Sequence, residues 1–292
     1  MSDQITTAFV KEYAAGITTR AQQEGSNLRK AVDITTGITG DAVYFDQVSA
    51  TSMSPLGARH SDTVLTDTPH HRRKCPIVPY TVADLIDNPD QVRTLNDPTN
   101  AYVRQFGYAA GRQIDDIIID AFDATVATGV AGAGSDAFDT DFSIAVGTSN
   151  LTTAKLRTAR KLLEQAENPE DDDFNKWYIV CSAEQREGLL GDSEFQNSDF
   201  NSVKALVDGD VNTWLGFEFL KSERLPNDSS NVTSVFAWRK SGMMLGVGAE
   251  GKGFIDVRPD KNHSTQVRYT LDMGAVRMEQ NAVVRIYCDD DL

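Results

Sequence analysis

The chain has 292 residues, 40% of them hydrophobic and 24% charged, and carries a formal net charge of −15. That composition suits a globular protein with one large domain or two modest ones. It excludes a membrane-spanning helix, since no stretch approaches the ~20 apolar residues required, and it speaks against gripping nucleic acid by counterion release, which calls for a basic surface.

The first forty residues read as an arm. Ile5, Phe9, Tyr13 and Ile17 recur every four residues and Ala21 extends the stripe, which predicts an amphipathic helix over residues 4–22. The period is lost at Gly25. A terminal helix with an apolar stripe must dock on its own core or on a neighbour. Residues 33–80 are punctuated by Gly37, Gly40, Pro55, Gly57, Pro69, Pro76 and Pro79. The strand-like pieces there are Val43-Tyr44-Phe45 and Ile77-Val78-Pro79-Tyr80, with a long polar stretch between them. This predicts a two-stranded excursion with a mobile tip.

The clearest element is a helix over residues 98–125. Asp97 is a good N-cap and Pro98 suits the first helical position. Val103, Phe106, Ala110, Ile114, Ile117, Ile118, Ala121, Phe122 and Thr125 share one face at helical spacing. Asp115 and Asp116 fall to the polar, solvated face on that reading. The glycine-rich GVAGAGSDA then breaks the chain and is a candidate hinge.

From residue 151 helices and strands alternate. Residues 152–167 are helical and stop at Asn168-Pro169. Trp177-Tyr178-Ile179-Val180 is a strand. Ser182 with Gln185 forms a capping box that opens a short helix through Leu190. Another short helix is expected at 202–207, and strands at 214–220 and 232–238. The C-terminal part reads as three strands, QVRYTLDM, AVRM and AVVRIYC. The order is therefore arm, long β excursion, long helix, α/β block and C-terminal strands, an α+β arrangement with two projecting parts.

Motifs for chemistry fail on their details. Residues 246–253, GVGAEGKG, fall one residue short of a phosphate-binding loop. Gly253 stands where a Ser or Thr would hold magnesium, so a glycine-rich loop between strands is expected instead. Residues 208–219 lack the glycine and glutamate of a calcium loop. His70-His71 and Cys75 have no second ligand pair nearby for zinc. Cys75, Cys181 and Cys288 are odd in number and far apart, with no secretion signal, so reduced thiols are expected. No catalytic, cofactor-binding or metal-binding residue is assigned, and no enzyme is expected.

Several word-like stretches, in this order, resemble the major capsid proteins of tailed bacteriophages, which share the Hong Kong ninety-seven-like fold. QQEGSNLRKAV resembles the stretch that joins arm to loop. PYTVADLIDNPD running into DPTNAYVRQFGYAAGRQIDDIIIDAF resembles the approach to the spine helix. The segment from KWYIVCSAEQREGLLGD through WLGFEFLKSERLP resembles the axial domain. The resemblance implies an N-terminal arm over 1–40 and an extended E-loop over 41–80. A peripheral domain with the spine helix would cover 81–150, an axial domain 151–255, and strands over 256–292 would return to the peripheral domain.

It further implies a structural protein of the virion, passing through host cytoplasm during assembly. Copies would form hexamers and pentamers of an icosahedral head around double-stranded DNA, bound without sequence specificity and without a membrane. A portal protein would be a partner. Because the chain begins directly with the arm, a separate scaffolding protein is expected. Encapsulin-like nanocompartments share the fold and are the alternative; an acidic nucleotide-binding enzyme is the remaining one. Arg72-Arg73-Lys74, with Arg59 near the loop tip, are the candidate inter-subunit contacts, facing acidic patches on another copy. No lysine lies between Lys30 and Lys74, so the loop tip lacks the amine with which some relatives crosslink their shells.

Overall fold

The computed structural model describes residues 22–55, 57–59, 62–63, 65–87, 99–165, 176–192, 213–228 and 231–290. Residues 4–21 of the expected arm helix, the Asp97 cap, Pro98, the helix expected at 202–207 and the turn at 208–212 lie outside them. The described residues divide into two units. One comprises residues 22–25, 80–87, 99–111 and 251–271; the other comprises the remainder.

In chain order the strands are β1 (Asp33–Thr36), β2 (Ala42–Val48), β3 (His70–Pro76), β4 (Val78–Ile86), β5 (Val126–Thr128), β6 (Gly134–Asp136) and β7 (Ser143–Ile144). They continue with β8 (Trp177–Cys181), β9 (Thr213–Trp214), β10 (Phe217–Lys221), β11 (Val232–Arg239), β12 (Met243–Arg258), β13 (Ser264–Arg277) and β14 (Val283–Asp289). The helices are α1 (Thr99–Asp123), α2 (Thr153–Gln165) and α3 (Ala183–Gly191).

The larger unit is built on a six-stranded sheet in the order β7-β14-β11-β8-β10-β9. All five residues of β8 are buried, which explains its unbroken apolar run: a strand covered on both faces shows no alternation. β10 runs parallel to β8, with Phe217 opposite Trp177, and β11 lies antiparallel on the other side. The last turn of α1 packs here. Phe122 stacks on Phe236 at a centroid separation of 4.8 Å and lies tilted against Trp238 at 4.6 Å, and Trp238 Nε1 donates to the Ala31 carbonyl at 2.8 Å. α2 buries Leu156, Ala159 and Leu163, one stripe at helical spacing. The Ser182 N–H donates to Gln185 Oε1 at 3.0 Å and closes the expected capping box of α3.

A second sheet of this unit has the order β2-β3-β5-β6 and is antiparallel throughout. The hairpin return was expected at Ile77–Tyr80. It is instead the polar HHRRKCP segment, β3, whose residues run opposite β2 from Val48↔His70 to Ala42↔Pro76. Arg73 and Cys75 are buried while Lys74 between them is not, so the alternation is present but one inward position is an arginine. The glycines after α1 make the turn of the β5–β6 hairpin, where Gly129 and Gly132 have positive φ.

The third sheet has the order β1-β12-β13-β4. Its two inner strands are long, and residues 246–253, expected as a loop, lie inside the uninterrupted β12. A phosphate-binding loop needs successive N–H groups converging on one anion; an extended strand turns them alternately outward. The glycines answer a packing need instead. A Cβ on Gly251 would collide with the phenol of Tyr269. Residues expected as two strands near the C-terminus, QVRYTLDM and AVRM, are the single strand β13 through Arg277. The C-terminal strands also part company: β13 stays in this sheet, while β14 sits between β7 and β11 in the six-stranded one. In the smaller unit Ile86, Phe106 and Val267 form a core with Val82, Tyr102, Val103 and Tyr269 packed against it.

Candidate functional site: the projecting hairpin and its basic cluster

β2 and β3 are joined by residues 49–69. The Ser49 N–H donates to the Pro69 carbonyl at 3.0 Å, which carries the ladder one step past the strands. Beyond it, the described side chains are exposed. Met53 is 100% and Leu65 91% accessible. Each apolar side chain left in water forgoes about 1.5–3 kcal/mol of burial free energy.

The four candidate contact residues fare differently. Arg72 reaches across the hairpin to its register partner Asp46, with Nε and Nη2 donating to the two carboxylate oxygens at 2.5 and 2.8 Å. That hydrogen bond holds the Asp46 carboxyl below the usual carboxylate range. Arg73 points inward and is buried; Nη2 donates to Asp136 at 2.5 Å and Nη1 to the Arg277 carbonyl at 3.0 Å. Lys74 is half-buried and Arg59 exposed, and neither has an ion-pair partner among the described residues. The structure thus separates the cluster into two arginines with carboxylates of their own subunit and two cations without.

Where the β2–β3 ladder gives way to the loop lies a groove of about 1090 Å³ whose lining includes Val48, His70, Arg72, Asp136, Met278 and Gln280. His70 and His71 are exposed on successive, opposite-facing positions. Cys75 is fully buried, and burial pushes its thiol up to about 11. Among the described residues, no group of three or more His, Cys, Asp or Glu could hold a metal ion, and no helix is long and apolar enough to cross a membrane.

Sequence reasoning missed the buried polar anchors. Asp115 is not on a solvated face. It is 0% exposed and accepts the N–H groups of Asn27 and Leu28, each at 3.1 Å, and the Ser26 hydroxyl at 2.5 Å. Its spacing carried the signal: Asp115 precedes Ile118, Ile119 and Phe122 by three, four and seven residues, the positions of one helical stripe. Asp116 is bound by both nitrogens of the Arg224 fork. Arg277 is fully buried; it donates to the Phe122 carbonyl at 2.5 Å, and burial lowers its pKa to about 10. Arg277 and Arg285 both lie over the Phe138 ring, at 5.1 and 4.9 Å from its centroid.

Solved structures match this mixed helix-and-sheet fold over nearly its whole length. The capsid of cyanophage P-SCSP1u is similar at a TM-score of 0.75 and 16% identity, covering 97% of this chain and 94% of the other. The capsid asymmetric unit of cyanophage Pam1 matches at 0.76 and 15%, covering 98% and 97%. The acid-stable capsid of Helicobacter pylori bacteriophage KHP30 matches at 0.76 and 11%, covering 99% and 98%. The fold is therefore that of the tailed-phage capsid proteins, the Hong Kong ninety-seven-like fold. Comparison with curated proteins returns no match. The family model for phage capsid proteins matches residues 5–290, and the chain belongs to that family. It is a structural protein of the virion, a major capsid protein of the icosahedral head.

Proposed function

We propose that this chain assembles with copies of itself into the hexamers and pentamers of a phage head that encloses double-stranded DNA. The observation that carries the reading is the family match across residues 5–290, joined to a hairpin whose tip carries Met53 and Leu65 without cover among the described residues. On this reading residues 1–40 serve as arm, 41–80 as E-loop, 81–150 as peripheral domain with the spine helix, and 151–255 as axial domain. The family match favours a phage head over an encapsulin-like compartment or a nucleotide-binding enzyme, whose would-be loop is a strand.

Many modest contacts, multiplied by closed symmetry, make such a shell durable. The net charge of −15 lets DNA be packed against the wall without adhering to it. A scaffolding protein and a portal protein are the expected partners. Of the candidate contacts Arg59, Arg72, Arg73 and Lys74, the two that meet an adjacent copy on this reading are Arg59 and Lys74, since Arg72 and Arg73 are held by Asp46 and Asp136 of their own subunit. Negative-stain microscopy of the chain co-expressed with the scaffolding protein tests this. Closed shells of uniform size are expected; a protein that stays monomeric at all concentrations overturns the reading.

A further inference from the structure

The outer edge of β12 is half used. β1 pairs only with Met244–Val247, and the Ile38 N–H adds one bond to the Val247 carbonyl at 3.3 Å. From Gly248 to Arg258 that edge has no strand partner among the described residues. Exposed edges are ordinarily kept short or guarded. This one is long and carries apolar side chains on both faces: Phe254 on one, Ile255 and Val257, 54% and 58% exposed, on the other.

Charged positions equally far on either side of Phe254 along it have opposite signs. Glu250, Lys252, Phe254, Asp256 and Arg258 alternate with Gly251, Gly253, Ile255 and Val257. Contacts with β13 confirm the two faces. Arg268 lies over Phe254, and Arg258 Nη1 donates to Gln266, on the first face; Tyr269 lies over Gly251 and Gly253 on the second. Set two copies antiparallel about Phe254. Lys252 then faces Asp256 of the other copy, Glu250 faces Arg258, and Phe254 faces itself. Behind them, Ile255 and Val257 come opposite Gly253 and Gly251, beside Tyr269. A parallel arrangement, or an antiparallel one centred a residue earlier, sets Glu250 against a like charge.

Backbone polarity agrees. The Val247 carbonyl points to the outer edge, so by the strand's period of two the N–H and C=O groups of residues 251, 253, 255 and 257 point outward as well. Those are the residues that would exchange hydrogen bonds in this register. Residues 252, 254 and 256 would form the closer, non-hydrogen-bonded pairs, ~4.5 Å between Cα atoms, where side-chain charges interact most strongly. Lys252 and Asp256 make no ion pair among the described residues, whereas Glu250 is paired with Arg29 and Arg258 with Asp260, both at exposed positions. The inner pair is therefore free to form, and the outer pair shares its charges.

We infer that the free edge of β12 joins the same edge of a second copy, antiparallel and centred on Phe254, as a twofold contact between subunits. The inference rests on the chain assembling with itself and adds which edge meets which. Such an isologous contact satisfies the outward backbone groups of residues 251, 253, 255 and 257 of both copies.

Phe254→Cys and Ile255→Cys variants of the full chain, oxidised under assembly conditions, test it, since the three native thiols are buried. Phe254→Cys faces its own copy and should run as a disulfide-linked dimer on a non-reducing gel, in about tenfold excess over Ile255→Cys, whose residue faces position 253. Charge reversal gives a second readout. Lys252→Glu alone and Asp256→Lys alone each set like charges opposite one another twice and should weaken association about tenfold. Mixing the two single variants, or combining them in one chain, restores complementarity and should restore association. A monomeric Phe254→Cys, equal crosslinking of both cysteine variants, or single variants not rescued by mixing overturns the inference. Any of these in a protein that still forms closed shells leaves the capsid reading standing; loss of shells from the unmutated chain would overturn that reading instead.

Discussion

Asp115 shows how one side chain organises a stretch of chain that has little structure of its own. Its carboxylate takes two backbone N–H groups and a hydroxyl from residues 26–28, just before the chain enters β1. Removing it leaves buried donors without an acceptor, which costs about 1–3 kcal/mol per group. Asp115→Ala should lower the stability of the larger unit by about 3 kcal/mol, read as a fall in the urea midpoint with unchanged slope; Asp115→Asn, which keeps shape and one acceptor, should lose less. An unchanged midpoint for the alanine variant would show that the three donors find other partners. The thiols make a second residue-scale prediction. Burial raises Cys75 to about 11 and Cys181 and Cys288 to about 12, from an ordinary value of 9.0. The folded state thus keeps protons that the unfolded chain releases above its own thiol pKa. The contribution to stability is complete below pH 9 and is lost as pH rises towards the folded values. Urea midpoints should fall as pH rises from about 9 towards about 11, and fall less in a Cys181→Ala variant.

Elements were legible where local pattern and tertiary demand agree. α1 announced itself by a stripe of apolar residues, α3 by its capping box, and β8 by a run of large apolar side chains. β3 was not legible because its inward positions include Arg73, whose burial is made tolerable by Asp136 and the Arg277 carbonyl, residues distant in sequence. β12 was misread because glycines that make room for Tyr269 look locally like a loop. At the candidate site the basic cluster was visible in sequence, but which of its members was already paired depended on the register of β2 and β3 and on the inward turn of Arg73. Gly107, within α1, tests the same distinction from the other side. Among the described residues nothing lies within 4 Å of where its Cβ would be, so their packing does not demand a glycine there. Gly107→Ala should stabilise the protein by up to about 1 kcal/mol through helix propensity alone. A destabilised variant would show that α1 needs to bend at this position.

At the scale of the whole molecule, two electrostatic effects oppose each other during assembly. Every copy carries −15, so bringing copies together is resisted by a general repulsion that salt relieves. A few cations meeting carboxylates of a neighbour act the other way, and salt weakens them. Arg72 and Arg73 are poorly placed to supply that attraction. Arg72 is bound to Asp46 at an exposed position, where water and salt screen the pair, and Arg73 is buried against Asp136. Arg73→Ala should act on folding, costing about 3 kcal/mol by stranding Asp136 and the Arg277 carbonyl, and should impair assembly only through lost stability. Of the four cations on the hairpin, Arg59 and Lys74 remain available to a neighbour among the described residues. A variant with both changed to alanine should fold with an unaltered urea midpoint yet give fewer shells at low salt. Its shortfall should shrink as ionic strength rises, because the attraction it lacks is then screened in the parent too, while repulsion fades in both. Shell yield measured by sedimentation across a salt series separates the cases. A variant whose yield follows the parent at every salt concentration would remove these two residues from the contact, and would place the attraction between copies in apolar burial at Met53 and Leu65 instead.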